Sequence, residues 1–332
     1  MPPITVRIHR QGPGEKKARL QRYSVDLRPA QTVLDVLHHL LAQQDPTLSF
    51  RRSCRSAICG SCAMRINGRA RLACNTQAQG LVERDGALLI EPMKNLRVVK
   101  DLAVDMSGFW KAMRAVRPSL VERKAQVPKT SYTIPGEDFR RVKIVQDCIM
   151  CSACLSDCTV REVNPDYLGP AALAKAFRFV GDPRDGATRS RLELYSRPNG
   201  IWDCDSCLMC NEVCPMGVKP LDAILQMREA AIEAGFVDNP GAKHTLAFFG
   251  SVEKTGRVNE ATTALRSLGV KMASPGNASL TVRSILRGKS PRLTGHPLAN
   301  RDDLRKLVLS VGREHAKRKA AARPVQAELA KA

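Results

Sequence analysis

The chain reads as an α+β protein in three parts, and three observations lead to that reading. Over residues 1–105, apolar positions alternate between strand spacing and helix spacing. From Met106 onward the helical period dominates. All twelve cysteines fall into three groups of four, and none follows Cys214. A chain of 332 residues is long enough for two compact domains and an extension, with expected boundaries at 1–105, 106–240 and 241–332.

The first part opens with two alternating stretches, "ITVRIHR" and "QRYSVDL", which predict strands joined by the polar loop "QGPGEKK". "TVLDVLHHLL" (32–41) then puts Val33, Val36, Leu37, Leu40 and Leu41 on one helical face, with Thr32 as N-cap. His38 and His39 lie on that helix and read as surface residues, because no ligand spacing joins them. Short strands are expected at 63–67 and 87–91. Strand, strand, helix, cysteine loop and further strands is the order of a small ferredoxin-like β-grasp sheet.

In the second part, "MSGFWKAMRAVRP" predicts a helix stopped by Pro118, and 119–137 predicts a connection ending in "TIPGED". Asp138 is the expected cap of a short helix before the next cysteines. "GPAALAKAFRFV" and "PLDAILQMREAAIEAG" predict two more helices, the latter with Pro220 at its start and Gly235 as its stop. After Pro240 the pattern weakens, and 312–332 predicts a frayed basic helix or disorder.

The cysteine spacing points to metal chemistry. Disulfides suit small secreted chains, whereas this chain is large and "MPPITVRIHR" lacks an apolar core of signal-peptide length. Cys54, Cys59, Cys62 and Cys74 form C-x4-C-x2-C plus a distant cysteine, which is plant-type [2Fe–2S] spacing. Gly60 in that loop permits a close backbone approach that brings N–H donors to the sulfurs. Structural zinc sites show two separated C-x2-C knuckles, and the x4 gap argues against one.

The two later groups are both C-x2-C-x2-C-x3-C. In two-cluster ferredoxins the fourth cysteine of each run serves the other cluster. On that pattern Cys148, Cys151, Cys154 and Cys214 hold one [4Fe–4S] cluster, and Cys158, Cys204, Cys207 and Cys210 hold a second. Pro215 ends the second run and turns the chain away. Three centres in one chain make an electron wire.

"CRSAICGSC", "VVKDLAVDMSGFWKAM" and the paired cysteine runs together resemble the iron–sulfur subunits of succinate dehydrogenase and fumarate reductase over roughly residues 1–235. The resemblance implies docking on an FAD-containing flavoprotein subunit, where succinate and fumarate interconvert, and electron passage toward a membrane-side acceptor. The chain itself has no G-x-G-x-x-G and no constellation for substrate chemistry, so no catalytic residue is expected in it. Most members of that family lack cysteine at the position of Cys207 and carry a [3Fe–4S] third centre. They also have proline after the first run and histidine at the position of Asp205. Here Thr159 and Asp205 stand at those places, and the quinone-site side chains of the family are missing. Trp202 lies nearby and reads as a core tryptophan.

"HTLAFFGSVEKTGRVNEATTAL" (244–265) is similar to a segment of heterodisulfide-reductase-type subunits, through its Gly-Arg-Val-Asn-Glu core at 256–260. Together these features resemble type E succinate dehydrogenases, whose acceptor side is a separate cysteine-rich CCG-type subunit in place of a haem-bearing membrane anchor. Quinone is then reached only indirectly. Other readings are a subunit of a heterodisulfide-reductase-like or glycolate-oxidase-like complex, and a stand-alone ferredoxin-type carrier.

The formal charge is +21, and from Gly241 on there are 18 Lys and Arg against 6 Asp and Glu. That surplus suits an acidic partner or an anionic membrane surface. With few aromatics and no recognition module, nucleic acid is not an expected partner. No run approaches the roughly eighteen apolar residues of a membrane span. With no such run, the family resemblance implies a peripheral location on the cytoplasmic face of the inner membrane.

Overall fold

The computed structural model describes residues 3–15, 17–122, 131–134, 136–269, 275–289, 298–307 and 309–310. The predicted basic tail at 312–332 and much of the 119–137 connection lie outside them. The chain divides into two compact units, Met1–Val121 with Thr133–Met227, and Glu122–Tyr132 with Arg228–Ala332. All twelve cysteines belong to the first.

The N-terminal region of that first unit is a mixed sheet. β1 (Ile4–Arg10) and β2 (Arg19–Val25) pair antiparallel, and α1 (Val33–Gln43) follows. Next come β3 (Ala63–Ile66), β4 (Arg69–Leu72), α2 (Ala78–Asp85) and β5 (Leu88–Glu91). The strand order is β2-β1-β5-β3-β4, with β1 and β5 parallel. Val6 and Ile8 of β1, Ile66 of β3 and Ile90 of β5 form a core with Val33, Leu34, Val36, Leu37 and Leu40 of α1. Thr32 caps α1 in a full capping box, its hydroxyl accepting from Asp35 N while Asp35 accepts from Thr32 N at 2.9 Å. Leu34 is buried and Leu41 only half so, because the helix turns slightly from the face that spacing suggested. His39 is exposed, whereas His38 stacks edge-on against Phe50.

The segment "VVKDLAVDMSGFWKAM" is a tie. β6 (Val98–Lys100) pairs with β7 (Ala103–Val104), and buried Asp101 between them accepts from Arg10 Nε, Gln11 N and Ser49 N at 2.9–3.1 Å. Arg10 is itself buried with Asp45 and Tyr23, so two carboxylates balance one guanidinium. α3 (Ser107–Ala115) starts directly after.

The rest of this unit is helical. It comprises α4 (Gly136–Gln146), α5 (Ala153–Ser156), α6 (Thr159–Val163), α7 (Pro170–Val180), α8 (Thr188–Tyr195) and α9 (Met209–Glu212), with α10 (Pro220–Glu233) continuing beyond it. Asp138 lies in the first turn of α4, which begins two residues earlier, so it is not the cap. α7 is buried nearly all round, as its Ala, Leu and Phe content dictates.

Two polar anchors fix the helical part on the sheet. Asp157, buried after α5, pairs with Arg65 of β3 and accepts from Ala70 N of β4 at 3.0 Å. Asn95 Nδ2 donates to the carbonyls of Leu155 and Cys158 at 2.9 and 3.0 Å. Removing one partner of a buried ion pair strands the other, at a cost of about 3–5 kcal/mol. Asp157→Ala is therefore expected to lower the denaturation midpoint of the iron-loaded protein clearly, and a midpoint within error of wild type would show the anchor idle.

In the second unit, α11 (Pro240–Thr255) and α12 (Glu260–Leu268) pack through small residues, among them Ala247, Ser251, Thr263 and Ser267, and α13 (Pro275–Leu286) follows. The Gly-Arg-Val-Asn-Glu core is their connection. Left-handed Gly256 ends α11, and Asn259 accepts from Thr262 N to start α12. The described part of the extension is thus helical, with capped ends at the connection between α11 and α12.

Candidate metal centres

The loop after Phe50 gathers the first four cysteines through its backbone. Arg55, Ala57 and Gly60 have φ of 59°, 56° and 71°, which turns successive N–H groups toward one centre. Ser56, Ile58 and Cys59 N–H groups lie 3.3–3.4 Å from Cys54 Sγ, Ala57 N is 3.3 Å from Cys74 Sγ, and Cys74 N is 3.5 Å from Cys62 Sγ. Such donors stabilise anionic sulfur and tune any metal it holds. The Ser61 hydroxyl and backbone N–H groups hold the Cys59 thiol below its ordinary range, while burial pushes Cys62 up.

The two later runs adopt one conformation twice. Left-handed Met150 and Ser152 flank Cys151, and left-handed Ser206 and Leu208 flank Cys207. Each run then enters a one-turn helix, α5 or α9, that carries its third cysteine. Left-handed non-glycine residues are costly, so two pairs at matching positions mark a backbone bent around something.

Cys148, Cys151, Cys154 and Cys214 line one apolar pocket, with Met216 and Val218 among the other walls. Val218 N donates to Cys214 Sγ at 3.3 Å. The structure thus brings three cysteines of the first run together with the last of the second. Cys158 in turn feels the charge of Cys204 and Cys207, and Cys210 that of Cys204, Cys158 and Cys207, so the four lie within electrostatic range of one another. Cys210 also raises the Cys154 thiol by charge repulsion, so the two sets lie within electrostatic range of each other.

Burial pushes the Cys151 thiol up to about 11 and the Cys210 thiol up to about 12, and drives Cys154 well above its ordinary value. Buried thiols of this kind ionise only when a metal replaces the proton. Among the described residues, no three His, Cys, Asp or Glu side chains close on the position of a single ion. The cysteine sets, the inward N–H groups and the apolar lining suit an anionic multi-iron cluster.

Sequence reasoning missed the surroundings of the last set. Thr159 Oγ1 donates to Asp205 Oδ2 at 2.7 Å and lies 3.6 Å from Cys207 Sγ, while Cys207 N donates to Asp205 Oδ1 at 3.2 Å. The two residues that depart from the family pattern therefore bond to each other and brace Cys207. Trp202 is half-buried in a tight turn over Ile201–Asp203, not in the core. The sites open at opposite ends of the series, with exposed Ile58 on the first loop and exposed Cys207 and Leu208 on the last.

A family model described as a 2Fe-2S iron–sulfur cluster binding domain matches residues 5–111, and a 4Fe-4S dicluster domain model matches 144–218. The iron–sulfur subunit of 8-methylmenaquinol:fumarate reductase from Wolinella succinogenes is 33% identical over 290 residues, which is 84% of this chain and 89% of that relative. The chain belongs to the iron–sulfur subunits of succinate dehydrogenases and fumarate reductases. As a member of that family it is an electron-transfer subunit of such a complex, with iron–sulfur clusters as its cofactors. The succinate dehydrogenase iron–sulfur subunit of Paracoccus denitrificans is 37% identical, covering 65% of this chain and 82% of its own length. Among solved structures, a chain of the Mycobacterium smegmatis Sdh1 complex superposes with a TM-score of 0.65 at 28% identity, over 70% of this chain and 97% of that one. The Wolinella likeness covers more than residues 1–240 can supply, so it runs into the C-terminal region. Among the described residues no helix is long and apolar enough to cross a membrane.

Proposed function

We propose that this iron–sulfur subunit relays electrons through three centres between the FAD of a flavoprotein subunit and a membrane-side acceptor. In this reading Cys54, Cys59, Cys62 and Cys74 hold a [2Fe–2S] cluster on a β-grasp sheet. Cys148, Cys151, Cys154 and Cys214 hold one [4Fe–4S] cluster, and Cys158, Cys204, Cys207 and Cys210 hold another. Bound there, the clusters supply one-electron transfer. The residues do the rest. Backbone N–H groups stabilise the thiolates, buried apolar walls such as Ala171, Ala174 and Val218 keep water from the middle site, and Asp205 with Thr159 braces the outermost cysteine. The chain contributes no catalytic residue of its own.

The observation that supports this reading is serial proximity: the first loop meets Cys151, and Cys154 lies within electrostatic range of Cys210. The complete fourth ligand at Cys207 favours a type E complex, whose acceptor is a CCG-type subunit in place of a membrane anchor. Quinone is then met through that partner, and the chain sits peripherally on the cytoplasmic face. The segment at 244–265 supports a second reading, a heterodisulfide-reductase-like complex. Co-purification with a flavoprotein, followed by assay of succinate and fumarate turnover, decides between them. Turnover of neither compound by an iron-replete complex would overturn the first reading.

Cluster inventory is a separate expectation. A fully loaded chain should carry about ten iron atoms, the sum for one [2Fe–2S] and two [4Fe–4S] clusters. Bound zinc, or a single cluster signature after anaerobic reconstitution, would count against it.

A further inference from the structure

Gly60 is where the first cysteine loop touches the first C-x2-C-x2-C run. A Cβ placed on it would lie 2.7 Å from Cys151 Cβ, 3.0 Å from Cys151 Cα and 3.2 Å from the Ile149 carbonyl oxygen. Carbon atoms in comfortable contact stand about 3.5–4.0 Å apart, so no side chain fits between the loops without moving one of them. The same position has φ +71°, which a residue with a Cβ adopts only under strain.

What lies on either side makes this contact more than packing. Ile149 and Cys151 rest on the core that holds Ala57, Cys62 and Cys74 of the first site. Cys151 also lines the pocket it shares with Cys148, Cys154 and Cys214. One residue thus belongs to the second site while its backbone leans on the loop of the first. The turn at Gly60 does carry N–H donors, since Ser61 N–H directly after it bonds the Cys59 sulfur. Its missing side chain faces the other site as well.

We infer that Gly60 is a positioning residue that sets the interval between the [2Fe–2S] site and the first [4Fe–4S] site. The inference rests on the assignment of these cysteines as cluster ligands. Electron exchange between two centres falls steeply as their separation grows. One electron leaves one centre and enters the other, so one is oxidised as the other is reduced, and no proton or co-reactant is needed. A methyl group at Gly60 has nowhere to go but into that interval.

The test compares Gly60→Ala with Gly86→Ala in the full chain. Gly86 has φ +74° but nothing within 4 Å of a built Cβ, so it shares the backbone strain and lacks the clash. Iron content is measured first. Then the microwave-power saturation of the reduced [2Fe–2S] EPR signal is followed with the neighbouring [4Fe–4S] centre oxidised and reduced. Wild type and Gly86→Ala should show faster relaxation when the neighbour is reduced, and Gly60→Ala should show a clearly weaker enhancement while keeping its iron. Full iron with wild-type relaxation in Gly60→Ala overturns the inference. If Gly60→Ala fails to hold iron, wild type decides: enhancement supports the close interval, and its absence overturns it. Wild type lacking both cluster signals after reconstitution would instead defeat the ligand assignment beneath.

Discussion

Cys207→Ser is expected to convert the outermost centre from [4Fe–4S] to [3Fe–4S]. Cys207 is exposed, whereas Cys158 and Cys210 of the same set are buried and Cys204 is half-buried. The corner it holds is therefore the one that solvent reaches. Serine oxygen is a harder and poorer ligand for iron than thiolate, so that corner should empty while three buried or half-buried sulfurs keep the remainder. Losing an iron alters the cluster charge and hence its potential. For a one-electron couple about 59 mV is a tenfold change in equilibrium, so even a modest shift redistributes electrons along the series. Low-temperature EPR of oxidised protein reads the result. Wild type should give no stoichiometric [3Fe–4S] signal, and Cys207→Ser should give one per chain. A full [3Fe–4S] signal in anaerobically prepared wild type would remove Cys207 from the ligand set and take the main support from the type E reading.

The cysteine pattern was the most legible feature of the sequence, because cluster ligation demands one residue type at spacings a loop can close. α1, α7 and α10 were equally legible, since each carries an apolar face or a Pro at its start with a stop near its end. β4 and α2 went unread. β4 is four residues long, too short for a period; it pairs with β3 at the sheet edge, and its Ala70 N bonds to Asp157, far away in sequence. α8 was missed for a related reason: it has few apolar residues, and buried Arg191 anchors it through Asp185 and the carbonyls of Arg117 and Ser119. The bracing of Cys207 by Thr159 and Asp205 joins residues 46 apart, which no local pattern reports. Gly60 illustrates a subtler gap. Its presence in the loop was plain, but its reason lay across a contact with Cys151 that only the fold creates.

Crossed ligation gives the second large expected effect. Cys214 closes the second run in sequence yet lines the pocket of Cys148, Cys151 and Cys154, while Cys158 closes the first run and lies within electrostatic range of Cys204, Cys207 and Cys210. Alanine at either position should therefore remove the cluster of the other run, with loss of about four iron atoms per chain when that site fails to assemble. Iron content alone cannot say which cluster has gone, but the Cys207→Ser change supplies a marker. In a Cys207→Ser background the outer site carries the [3Fe–4S] signal. Adding Cys214→Ala should leave that signal in place and abolish the [4Fe–4S] signature of the inner site. Adding Cys158→Ala should do the reverse, because the outer site would then keep only Cys204 and Cys210. Were each run to bind its own cluster, the two double variants would exchange phenotypes. Exchange of this kind is the result that would sink the crossed assignment, and the geometry argues against it: within the first run Cys158 lies beyond α5, away from the pocket that its three predecessors share with Cys214.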